Sequence, residues 1–75
     1  MIEKKVFINT IDDIKSFNQK AIAAGCDIDL THGRYVVDAK SLIGIMTLNL
    51  SEPVGIIFHT EDADIVNNFS DWIVE

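Results

Sequence analysis

The side chains best suited to chemistry are few and far apart: His32, His59, Cys26, and Ser41 at the head of an apolar run. No HxH or CxxC spacing occurs, so no metal-ligand set can be read from the chain. Cys26 is the only cysteine, which excludes an intrachain disulfide, and no basic neighbour or second thiol activates it. His32 stands beside Gly33 in an expected tight turn and His59 at an expected strand end. Neither has an adjacent arginine, and a histidine without local partners reads as a surface residue. Asp12 and Asp13, and again Glu61, Asp62 and Asp64, gather at expected helix starts. Asp12 and Asp13 complement the helix dipole, and Glu61, Asp62 and Asp64 are too local to face one another across a cleft as a general acid and base.

Ser41 is placed differently. In Lys40-Ser41-Leu42-Ile43-Gly44-Ile45-Met46-Thr47-Leu48-Asn49 its hydroxyl can accept a hydrogen bond from a free backbone N–H one turn into a short helix. The apolar residues of so short a helix cannot all face inward, so Leu42, Ile43 and Met46 are expected at the surface. Gly44 costs roughly 1 kcal/mol against alanine inside a helix, which suggests a close contact, here the approach of a partner backbone. Asn49 is expected to end the helix in the left-handed conformation. A capped apolar helix of this kind suggests a docking surface.

The elements that must position these residues follow from periodicity. Residues 5–9 alternate as a first strand, with Val6 and Ile8 on one face. Thr10 is expected to cap a helix carrying Ile11, Ile14, Phe17, Ala21 and Ala24 on one stripe, widened by Ile22 and ended by Gly25. Residues 27–31 and 34–38 read as a hairpin about His32-Gly33. After the Ser41 helix and a turn at Ser51-Glu52-Pro53, residues 54–59 form the most apolar strand. A last helix begins at a Thr60 cap and buries Ile65, Phe69, Trp72 and Ile73. The order is βαββαβα. Two long striped helices over short alternating strands imply an α+β open-faced sandwich, with one sheet face covered and the other solvated.

Seventy-five residues form one domain, residues 1–75, with too small a core for a deep active site. The net charge of −6 and pI near 4.6 leave no basic patch for nucleic acid or an anionic membrane. Mean hydropathy is +0.21, against disorder. No apolar run is long enough to span a membrane, and the opening residues do not lead into a signal-peptide core. A monomeric cytoplasmic protein without a cofactor is expected.

The Ser41 run resembles the regulatory-serine segment of HPr, the histidine-containing phosphocarrier of the bacterial sugar phosphotransferase system. The family pattern is roughly Lys-Ser-Ile-Met-Gly-Val-Met-Ser-Leu-Gly. Lys40, Ser41, Gly44, Met46 and Leu48 coincide with it, Leu42, Ile43, Ile45 and Thr47 are conservative replacements, and Asn49 stands at its last glycine. The order of elements on both sides extends the resemblance over nearly the whole chain. It implies an antiparallel sheet of strand order 1-4-2-3. It also implies phosphorylation of Ser41 by a dedicated kinase, with docking to phosphotransferase-system proteins through Lys40, Leu42, Ile43, Gly44 and Met46. The second family motif, Gly-Ile/Leu-His-x-Arg-Pro-Ala around the phosphorylated histidine, is absent. The corresponding helix start falls on Thr10, with Asp12 and Asp13 behind it, after a loop shorter than the family's. The expectation is a non-enzymatic, regulatory HPr-like protein that does not carry phosphohistidine. The alternative is a phosphoryl carrier using a displaced residue, His59 or His32.

Overall fold

In the computed structural model, which describes residues 1–75, the sheet is built around the apolar strand β4, Val54–Phe58. The chain runs β1 (Ile2–Val6), α1 (Ile11–Ala23), β2 (Ile28–His32), β3 (Tyr35–Asp38), α2 (Leu42–Met46), β4, α3 (Ala63–Asn67). The sheet order is β1-β4-β2-β3 and every pairing is antiparallel, which is the α+β open-faced sandwich expected from the sequence. Register aligns Val6 with Val54, Ile28 with Phe58, and Leu30 with both Ile56 and Val37. Directly opposed residues share a face, so these form the covered side. Glu3, Lys5, Asp29, Thr31, Val36, Gly55 and Ile57 form the open side.

β1 begins and ends earlier than the sequence suggests. Ile2 to Val6 pair with β4, because an edge strand tolerates Lys4 and Lys5 with their charges in water. Val6 and Ile8, expected on one face, are both buried, Ile8 lying beyond the end of the strand. α1 is capped by Thr10, and Gly25, at φ +78°, turns the chain out of it. Its buried stripe is Ile14, Phe17, Asn18 and Ala21. Ile11 and Ile22 are instead exposed: one lies at the helix mouth, the other a step past Ala21 on the outward side. The buried place between Phe17 and Ala21 goes to Asn18, whose Nδ2 donates to the Ala39 carbonyl at 3.0 Å. That bond ties α1 to the segment leading into α2.

α3 is short. Its cap is Asp62 rather than Thr60, accepting from Asp64 N at 2.9 Å, and the helix has five residues. Phe69 and Trp72 are buried all the same, carried inward by successive turns after the helix. Ile73 then bridges to Val6. The expectation of two long helices covering the sheet is therefore corrected to one. Asn67, Asn68, Ser70 and Asp71 supply poor helix formers, while side-chain spacing alone cannot distinguish a helix from consecutive turns.

Replacing Asn18 by alanine strands the buried Ala39 carbonyl. The expected loss is about 1–3 kcal/mol, measured from urea unfolding. An unchanged midpoint would show that this bond does not anchor the α1–α2 contact.

Candidate functional site

At the start of α1, Thr10 Oγ1 accepts from Asp13 N at 3.0 Å. Asp12 and Asp13 occupy the first turn, where their charge complements the positive end of the helix. Neither is in an ion pair. A phosphate brought here meets two carboxylates, and no histidine or arginine lies in the segment.

The two histidines sit elsewhere, each against a carboxylate. His32 Nε2 lies 2.6 Å from Glu52 Oε1, linking the end of β2 to the turn before β4. His59 Nε2 lies 2.9 Å from Asp29 Oδ2. The second contact follows from register, since Asp29 opposes Ile57 and His59 is two residues further along the same face. Sequence reasoning missed both carboxylates, because the pairings join residues far apart in the chain. The partner a phosphohistidine needs is a cation; these histidines have the opposite.

At the start of α2, Ser41 Oγ accepts from Gly44 N at 3.1 Å, as its cap position requires. Ser41 N donates to the Asp38 carbonyl, and Asp38 Oδ1 accepts from Lys40 N at 2.9 Å. The Lys40 ammonium turns away to Asp27 Oδ1, 3.7 Å distant. Of the helix residues only Ile45 is buried. Leu42, Ile43 and Met46 are 36%, 79% and 54% exposed, so the expected surface positions are met.

Two details of this run differ from expectation. A Cβ on Gly44 would stand 3.2 Å from Ser41 Oγ and 3.4 Å from Val37 Cβ. The tight contact at Gly44 is thus internal, holding the helix against its own cap and β3. Asn49 is not left-handed, since only glycines have positive φ. The helix ends at a Thr47 cap, and Asn49 Oδ1 instead gathers Ser51 N and Ser51 Oγ at 3.2 and 2.6 Å.

Both caps are measurable. Thr10→Ala and Ser41→Ala should each lower stability by about 0.5–2 kcal/mol in denaturant titration. Unaltered midpoints in both would remove the caps as determinants of the two helices.

No protein-family model matches the chain, and no curated protein matches its sequence. Among solved structures, the crystal structure of HPr-C-His from Thermoanaerobacter tengcongensis superposes with a TM-score of 0.80 at 23% identity, covering 95% of this chain and 89% of that one. No helix is long and apolar enough to cross a membrane. With the strand order, the capped helices and the open sheet face already described, this likeness gives the chain an HPr-like fold.

Proposed function

We propose that this chain is a regulatory or docking module related to HPr, working in the cytoplasm beside a phosphotransferase system and carrying no phosphohistidine of its own. The observation that supports docking most is Ile43, 79% exposed on a helix where Ile45, two residues on, is wholly buried. Ile45 anchors the helix, leaving Leu42, Ile43 and Met46 as an apolar surface for a protein partner, with Lys40 and Gly44 beside it. Against phosphohistidine chemistry stand the acids at the start of α1 and the carboxylates on His32 and His59. The module is not itself an enzyme in this proposal.

Ser41 is the proposed regulatory position. Its hydroxyl is exposed, and no acid lies in the first turn of α2, in contrast to α1. The Lys40–Asp27 contact is long and solvent-exposed, so it holds Lys40 weakly. A phosphate on Ser41 would place a charge of about −1.5 to −2 at the rim of the apolar surface. Partners that accept that surface with a neutral rim would then be distinguished from those that require the charge.

Incubation with phosphoenolpyruvate and the upstream phosphotransferase should leave the protein free of acid-labile phosphate. Stoichiometric labelling that disappears in His59→Ala or His32→Ala would establish the displaced carrier instead. Separately, Ile43→Lys should abolish binding to purified phosphotransferase-system components, read by calorimetry, while leaving circular dichroism and thermal stability unchanged. Early melting of that variant would place Ile43 in the core and refute docking through α2.

A further inference from the structure

The two edges of the sheet are finished differently. Along β1 the C-terminal segment supplies cover: Phe7 N donates to Trp72 O and Val74 N to Lys5 O, each at 2.9 Å. Glu3, Lys4 and Lys5 add charge to that edge, a common block to further strand pairing. β3, the opposite edge, has no covering segment. Its Tyr35 and Val36 are 65% and 63% exposed, and no lysine interrupts Tyr35-Val36-Val37-Asp38.

The outward-facing backbone of β3 can be assigned. His32 pairs with Tyr35 across the Gly33-Arg34 loop, and Gly33 at φ +61° suits the first central position of a type II′ turn. Residues flanking such a loop bond to each other. At the other end, Ala39 N donates to Ile28 O, which has the same parity. Tyr35 and Val37 therefore bond to β2, Val36 directs both its N–H and its C=O outward, and Asp38 directs its N–H outward while its carbonyl accepts from Ser41 N at 2.9 Å.

We infer that β3 pairs antiparallel with β3 of a second copy about a two-fold axis at Val36. In that register Val36 meets Val36, Tyr35 meets Val37, and Arg34 meets Asp38. Faces match on both sides, whereas a one-residue slip would oppose a covered face to an open one. Aromatic against β-branched and positive against negative are both favourable cross-strand pairs. The charges are available, because Arg34 makes no ion pair and the Asp38 carboxylate accepts only from Lys40 N. The interface is isologous, each contact occurring twice. A four-residue strand is short for a stable interface, and the charge of −6 on each copy opposes association. The assembly is consequently a concentration-dependent dimer, and the expected monomer is its dilute form.

Sedimentation across a concentration series, at about 0.15 M salt to screen the net charge, should show mass rising from one chain toward two. Over the same series, amide exchange should slow at Val36 and Asp38 while Tyr35 and Val37 stay constant. Val36→Lys and Arg34→Glu, both at exposed positions and checked for folding by circular dichroism, should hold the mass at one chain. Arg34→Asp combined with Asp38→Arg should restore association by exchanging the charges. Ile43→Lys should leave it untouched, which separates this interface from docking through α2. A single-chain mass at every concentration, association surviving Val36→Lys, or association lost on Ile43→Lys would each overturn the inference.

Discussion

The ring of Phe69 touches the three parts of the chain that must meet for the sheet to be covered. Its centroid lies 5.3 Å from Phe17 on α1, 5.3 Å from Phe58 on β4, and 6.1 Å from Trp72 in the C-terminal turns. Phe17 and Trp72 close the group at 5.6 Å, nearly edge to face, an arrangement favoured by the aromatic quadrupole. Each such ring buries far more surface than an aliphatic side chain. That area compensates for the shortness of α3, so that a five-residue helix and a few turns suffice beside α1. Lys20 completes the group from outside, its ammonium 5.2 Å from the Trp72 ring and donating to Asn68 O at 3.0 Å. An ammonium over the face of an indole ring is attracted by the ring quadrupole, which favours this finish to the rim.

With the aromatic group over β1 and β4, the β2–β3 end of the sheet falls to α2. A helix of five residues makes little more than one turn, and one turn offers only a narrow inward face. Ile45 takes it, with Leu48 buried just beyond the helix. Geometry thus leaves Leu42, Ile43 and Met46 outside whatever their use. What needs a further cause is that these positions are apolar at all, since an exposed helix turn would ordinarily be polar. Gly44 fixes the orientation of that exposed side by letting the helix rest against Val37 and Ser41.

Local chemistry was legible in the sequence where it was self-contained. The alternation in β2, the apolar run of β4, the caps at Thr10 and Ser41 and the exit at Gly25 each depend on a few neighbouring residues, and each is found in place. Strand order was not available from periodicity and came from the resemblance at Ser41. Other features depend on tertiary partners. Asn18 is buried because Ala39 offers a carbonyl, and His59 meets Asp29 because β2 and β4 lie in one register. Gly55 faces Thr31 so closely that a Cβ would collide with Thr31 Oγ1, a constraint invisible until the strands are paired. Phe69 and Trp72 were recognised as core, but their spacing suggested helix where the chain makes turns.

The two long-range histidine contacts bear on the same question as the two helix starts. A phosphoryl group on an imidazole is stabilised by a positive partner that receives its charge. In both histidines the Nε2 atom is already in contact with a carboxylate, and α1 opens with two acids. At both histidines and at the start of α1 the neighbouring charge recorded is thus negative. The start of α2 is the exception within the chain, with an exposed hydroxyl, no acid in its first turn and Lys40 preceding it. Asp38 limits that advantage, although its Oδ1 is engaged by the Lys40 N–H. Of the three helix starts only this one sets an exposed hydroxyl beside exposed apolar side chains with no acid in its first turn, and the proposed modification of Ser41 rests on that contrast.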